Sequence, residues 1–254
     1  MTKLDRRRFS SVFSTYSTKT FTLYRANLLN STHDQLTNTP GSWETAVEAL
    51  RLFRRHGLVT AINSVLSERE ARDGQLDVLM NLARELDCDY VQLIHPKPAG
   101  VWMNRREDMQ TDAGLIEALQ KEHLRFNGPS KPDYPSLAAQ VFEESKAVLG
   151  CTAGAVDRFY LNATGEVQPC EFLNLSFGNI REEPFETILA RMRSFFPTPA
   201  LDWLCCTQAD AIARIVHENR IVGLPLPWAY TKQLVENWDR GRPTPLYEKL
   251  GIYQ

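Results

Sequence analysis

Two cysteines flank a β-hairpin turn, and that arrangement limits the fold of the second half of the chain more than any other feature. Cys151 enters the segment and Cys170 leaves it. Thirteen residues separate Cys151 from Gly165, and four separate Gly165 from Cys170. The residues between them predict two short strands, Arg158 to Leu161 and Glu166 to Gln168. They surround the turn Asn162-Ala163-Thr164-Gly165, where glycine supplies a positive φ. A chain reversed at that turn can aim both thiols at one point. Thiolates are the standard ligands of iron–sulfur clusters, and a [4Fe–4S] cube takes four of them. Cys205 and Cys206 lie further along and supply a third ligand, with the other idle or fourth, since adjacent cysteines seldom both reach one cluster. Zinc is the competing use of four cysteines, but zinc sites favour C-x2-C pairs and none occurs here. Cys88, at a predicted helix-to-strand junction, reads as plain core.

The first half alternates strand and helix. Thr20 to Leu28, Leu58 to Leu66 and Asp89 to His95 read as strands. Between and after them, helices are expected over about Trp43 to His56, Gln75 to Asp87 and Asp112 to Phe126. In the first of these, Trp43, Ala46, Val47, Leu50 and Phe53 recur at helical spacing, Ser42 is the expected N-cap, and Gly57 stands where a C′ glycine ends a helix. Three strand–helix units with short connections call for parallel strands joined by right-handed crossovers. Near Asn127 to Pro135 the text turns to Gly, Pro, Ser and Lys and reads as a linker. A helix from about Pro135 to Leu149 is expected after it, and another over Pro184 to Phe196. His95 closes its strand as a capped surface histidine.

Composition enters mainly by exclusion. A formal net charge of −2 and the lack of a basic stripe give no pull toward nucleic acid or anionic lipid; Arg6-Arg7-Arg8 reads as a solvated face. No stretch is long and apolar enough for a membrane span, and no apolar run follows the charged first residues. The expected location is therefore cytoplasmic, where thiols stay reduced and five cysteines serve as ligands or core rather than disulfides.

The pattern C-x13-G-x4-C, with Gly165-Glu166-Val167-Gln168-Pro169-Cys170 and then Phe177-Gly178-Asn179-Ile180, resembles the SPASM/twitch auxiliary-cluster domain of radical S-adenosylmethionine (SAM) enzymes. It is closer to the shortened twitch form, because the C-x2-C-x5-C run of a full SPASM domain is absent. In the first half, Thr22-Leu23-Tyr24, His33-Asp34 and Gly41-Ser42-Trp43 resemble the fourth strand and following helix of the radical SAM partial barrel. Val59 to Val65 and Tyr90 to His95 resemble its fifth and sixth strands.

The resemblance implies an α/β chain: an unassigned segment 1–19, the C-terminal half of a partial (β/α) barrel over 20–128 with about three βα units, a linker and bridging helix over 129–150, and a small α+β auxiliary-cluster domain with C-terminal helices over 151–254. It implies an iron–sulfur cluster, [4Fe–4S] in type, on Cys151, Cys170, Cys205 and Cys206. It places Thr22, Asn27 and Asn63 on the SAM side. No catalytic residue is assigned, and enzyme status is left open, because the 254 residues contain no C-x3-C-x2-C motif for the cluster that cleaves SAM. A truncated or miscalled start, a separate docking chain, or a remnant turned into a cluster- or peptide-binding module each account for that. The implied function is radical-based modification of a peptide or small molecule when the SAM-cleaving half is supplied, with SAM needed only then. The alternative is a non-catalytic iron–sulfur or protein-interaction module. Implied partners are an N-terminal radical SAM half or a substrate peptide, and self-association through an open barrel edge.

Overall fold

The computed structural model describes residues 19–22, 30–65, 73–100, 103 and 113–253. The chain divides into two compact units, one of residues 1–95 and 111–142, the other of residues 96–110 and 143–254.

The first unit is α/β. Its described elements are β1 (Lys19–Thr22), α1 (Asn30–Thr37), α2 (Ser42–Arg55), β2 (Thr60–Ser64), α3 (Gln75–Glu85), β3 (Tyr90–Leu93), α4 (Ala113–Asn127), β4 (Ser136–Ala139) and the short α5 (Gln140–Glu143). The strands form one sheet in the order β1-β2-β3-β4, parallel throughout. Ala61, Ile62 and Val91 are fully buried, as strands of a parallel sheet covered by helices must be. The helices present the apolar faces read from their periodicity: Trp43, Val47 and Leu50 on α2, and Leu76, Leu79, Met80 and Ala83 on α3. Each such large side chain contributes roughly 1.5–3 kcal/mol through burial.

The ends of α2 show how local chemistry sets these boundaries. At the C-terminus, Gly57 has φ +71°. The Gly57 N–H donates to Arg54 O at 3.0 Å and the Leu58 N–H to Phe53 O at 3.1 Å, a Schellman pair of bonds. At the N-terminus the expected Ser42 cap is replaced. Gly41 is the capping residue, and the side chain that satisfies the helix start is Asp34 of α1, which accepts from the Gly41 N–H (2.6 Å), the Trp43 N–H (2.9 Å) and the Ser42 hydroxyl (2.9 Å). A carboxylate at a helix N-terminus is also favoured by the helix dipole. These bonds hold the Asp34 carboxyl below the usual carboxylate range, the Trp43 N–H contributing most.

Two expectations differ in this unit. The helix expected over Pro135 to Leu149 is a strand at Ser136–Ala139, helical only at Gln140–Glu143. Val91↔Leu137 pairing with β3 draws this short apolar run into the sheet. His95, expected at the surface, is buried, and its N–H donates to Gln140 Oε1 at 3.1 Å.

The second unit holds β5 (Tyr160–Leu161), β6 (Val167–Gln168), α6 (Phe185–Phe195), α7 (Leu204–Thr207), α8 (Ala209–Glu218), α9 (Trp228–Val235) and α10 (Pro245–Leu250). β5 and β6 pair antiparallel, as the hairpin reading expected. The core gathers Val167, Leu173, Leu175, Phe177, Ile188, Met192, Phe196 and Ile212. Phe177 lies at its centre, with ring centroids of Trp228 at 5.4 Å and Phe196 at 5.8 Å. Among the described residues no helix is long and apolar enough to cross a membrane.

Candidate functional site

The hairpin turn is built by one asparagine and locked by a second. Asn162 Oδ1 accepts from the Thr164 N–H (3.0 Å), the Thr164 hydroxyl (2.8 Å) and the Glu166 N–H (2.9 Å), and Gly165 completes the reversal at φ +93°. Asn179 then donates to Thr164 O at 3.1 Å and to Glu166 Oε1 at 2.9 Å. The Val167 N–H reaches Gly178 O, and the Ile180 N–H reaches Gly165 O, each at 2.9 Å. Gly178-Asn179-Ile180 therefore fastens the hairpin to the chain that follows it. This fixes the exit direction at Pro169-Cys170.

Cys151 is fixed from the other side. Its backbone exchanges two hydrogen bonds with Ala200, at 2.7 and 2.8 Å. Gly150, at φ +64°, sits so close to that strand that a Cβ would stand 2.3 Å from Ala200 O. Gly154 donates to Pro169 O at 2.9 Å, tying the loop after Cys151 to the residue before Cys170. The Ala200 pairing also carries the chain toward α7, where Trp203 precedes Leu204, Cys205 and Cys206.

None of the four forms a disulfide. Cys170 and Cys205 belong to the core, and Cys151 and Cys206 pack against it. The N–H groups of Leu204 and Ala153 bond to the Cys151 sulfur, and those of Phe172 and Leu173 to the Cys170 sulfur. The Leu204 bond brings Cys151 against the first turn of α7. Cys151 and Cys170 interact electrostatically, as do Cys170 and Cys205. Burial pushes Cys151 upward and Cys170 to about 12. Cys205 is raised first by its hydrogen bond with the Cys206 thiol and then by burial. Among the described residues no three His, Cys, Asp or Glu side chains converge on a position for one metal ion. A tetrahedral zinc would need its sulfurs within roughly 4 Å of each other, given ~2.3 Å bonds. A cubane spreads its thiolates over four irons and sets them further apart.

Residues 151–212 match the SPASM family, an iron–sulfur cluster-binding domain. This segment is similar to a SPASM domain. Its first residue is Cys151, and it runs through the hairpin, Cys170 and the vicinal pair into α8. An AdoMet-dependent heme synthase of Methanosarcina barkeri (strain Fusaro / DSM 804) is 24% identical to the chain over 174 residues, which make up 62% of this chain and 49% of that protein. The chain spans about half the length of the curated relative it matches. Both matches agree with the resemblance to radical SAM enzymes that carry a SPASM domain. The side chains present suit an iron–sulfur cluster: buried sulfurs that already receive backbone N–H groups are what a cluster's ligands require, and iron would hold them as thiolates where burial alone keeps them protonated.

Cys88 lies in the first unit, buried, its thiol pushed up to about 11 by burial. This agrees with its reading as core. Of the residues that the resemblance places toward SAM, Thr22 ends β1 and pairs in register with Asn63 of β2, while Asn27 lies outside the described residues. The Asn63 Oδ1 and Ser64 Oγ atoms are buried with no hydrogen-bond partner among the described residues, at the carboxyl end of β2, the end at which parallel sheets bind ligands. Sequence reasoning missed Lys97, Glu144, Trp203 and Arg240, all of which lie around the cysteines. The one available signal was Pro96-Lys97-Pro98, a lysine held by two prolines just past a strand.

Proposed function

We propose that this chain is the auxiliary-cluster portion of a radical SAM enzyme. In this reading Cys151, Cys170 and at least one of Cys205 and Cys206 hold a [4Fe–4S] cluster, and the four-stranded parallel sheet is the C-terminal half of the partial barrel. Thr22, Asn27 and Asn63 lie on the SAM side, and the orphaned Asn63 Oδ1 supports a polar ligand there. The SAM-cleaving cysteines are not among these 254 residues and are supplied from elsewhere, with the β1 edge of the sheet as the docking or self-association edge. When bound, the cluster supplies a one-electron relay or an anchoring point for substrate. The chain's own residues fix its place: the Cys151–Ala200 pairing and the Asn179 lock hold the two cysteine segments, and the aromatic core beneath excludes water. The modified substrate is a peptide or a small molecule; the curated relative's name points to a heme precursor, a small-molecule case.

The observation that carries the reading is the Leu204 N–H on the Cys151 sulfur, within a segment matched from Cys151 onward to an iron–sulfur domain. The test is anaerobic reconstitution, with iron and sulfide counted on single variants. Cys151→Ala and Cys170→Ala should each lose the brown chromophore, while Cys88→Ala should keep the wild-type count. Full iron and sulfide in both of the first two variants would refute the ligand set.

A further inference from the structure

Lys97 is 6% exposed, an uncommon state for a lysine, whose ammonium loses several kcal/mol of hydration unless an anion lies near. Its Nζ stands 3.2 Å from the centroid of the Trp203 ring and 5.7 Å from that of Phe172. Trp203 is the residue on which α7 begins, two before Cys205, and Phe172 is two beyond Cys170. The ammonium is thus held by ring faces belonging to both cysteine segments. Burial lowers its pKa, and the charge interactions with Cys205, Glu144, Cys206 and Cys170 act in the opposite sense, favouring the ammonium. Other charged groups also bear on the cysteines, Glu171 on Cys170 among them. Arg158 lies 2.7 Å from Glu144, and Arg240, which faces Cys151, donates to Thr198 O.

We propose that Lys97 is the fixed counter-charge of the auxiliary cluster, set by Trp203 beside Cys170, Cys205 and Cys206, and that it raises the potential at which the cluster accepts an electron. The proposal rests on the cluster reading above. The step involved is simple: one electron from an external low-potential donor enters the cluster, and no bond or proton changes at Lys97. Reduction adds a negative charge, which a nearby cation in a poorly solvated site stabilises more than it stabilises the oxidised form. Lys97 acts through the cluster's ligands and is a positioning residue in that sense. Trp203 keeps the ammonium facing the sulfurs through its ring quadrupole.

The experiment compares the reconstituted full chain with Lys97→Met, which keeps length and removes charge, and Lys97→Arg, which keeps charge. Iron and sulfide are counted, and the cluster is titrated with dithionite under electron paramagnetic resonance. Lys97→Met should lower the reduced-to-oxidised ratio at a set potential at least tenfold, equivalent to about 59 mV for one electron, while Lys97→Arg stays near wild type. Wild-type potential in Lys97→Met overturns the proposal, as does an equal shift in both variants, which would mark packing rather than charge. If Lys97→Met takes up no iron, Lys97→Arg decides. Full loading at wild-type potential supports a charge requirement, and anything less overturns it. A wild-type chain that takes up no iron refutes the cluster reading itself.

Discussion

Gly154 offers a direct test of how the segment between the two hairpin cysteines is packed. It adopts φ +81°, and a Cβ built there would lie 1.9 Å from Phe196 Cγ. Phe196 is 3% exposed and stacks edge-on with Trp238 at 5.4 Å, so it has no open direction in which to retreat. Gly154→Ala therefore carries two costs. A left-handed backbone with a Cβ costs roughly 1–2 kcal/mol, and forcing an added methyl into a packed core adds about 1–3 kcal/mol. Gly223→Ala is the control within the same unit: φ is +86°, but nothing lies within 4 Å of its Cβ, so only the backbone cost applies. Urea unfolding of the metal-free protein, followed by the fluorescence of Trp203, Trp228 and Trp238, should place Gly154→Ala about 2 kcal/mol below Gly223→Ala. Because the Gly154 N–H donates to Pro169 O next to Cys170, Gly154→Ala should also reduce iron loading and Gly223→Ala should not. Equal destabilisation by the two substitutions would refute the close approach of Gly154 to Phe196.

Asn179→Ala removes both side-chain bonds to the hairpin and should cost about 1–3 kcal/mol in the same urea assay, since each net bond contributes roughly 0.5–1.5 kcal/mol. The Cys88 thiol is raised in the folded chain from 9.0 to about 11, so its contribution is complete below pH 9 and is lost as pH rises toward 11. Wild-type stability should fall by about 2–3 kcal/mol more than that of Cys88→Ala between pH 8 and 11, because each tenfold gain in proton affinity on folding corresponds to about 1.4 kcal/mol; parallel curves would argue against the buried neutral thiol. Reduced, reconstituted chain incubated with SAM should release no 5′-deoxyadenosine above background, measured by chromatography, because the three-cysteine motif is not among these residues.

Much of the first unit was legible because its signals repeat. Strands at Thr60–Ser64 and Tyr90–Leu93 and helices at Ser42–Arg55, Gln75–Glu85 and Ala113–Asn127 carry clear periodicity and, for α2, a C′ glycine. Ser136–Ala139 did not announce itself. Four residues with two alanines favour helix locally, and only pairing with β3 makes them a strand, so tertiary contact overrode propensity. The helix Asn30–Thr37 was not among those expected, because its role lies in one carboxylate, Asp34, which reaches across a turn to cap the next helix. In the second unit, cysteine spacing and the Asn-x-x-Gly turn exposed the hairpin, while the charged surroundings of the cysteines stayed hidden. Lys97 is distant in sequence from Cys170 and Arg240 from Cys151, and no linear pattern joins either pair.

The physical tension in the second unit lies between burial and charge. Cys151, Cys170 and Cys205 are held where a free thiol stays protonated, yet backbone N–H groups point at two of these sulfurs and a lysine is sunk beside them. N–H donors and a cation are poorly matched to neutral thiols and well matched to thiolates, because hydrogen bonds to an ionised acceptor are roughly twice as strong as those between neutral groups. An iron–sulfur cluster held here would ease the conflict, because its ligands would be thiolates, which suit both the N–H groups and the Lys97 ammonium. The hairpin, by contrast, is satisfied by its own bonds through Asn162 and Asn179 and needs no metal to close. The fold thus separates a turn that forms from local chemistry from a sulfur-lined region whose N–H donors and lysine suit thiolates better than thiols.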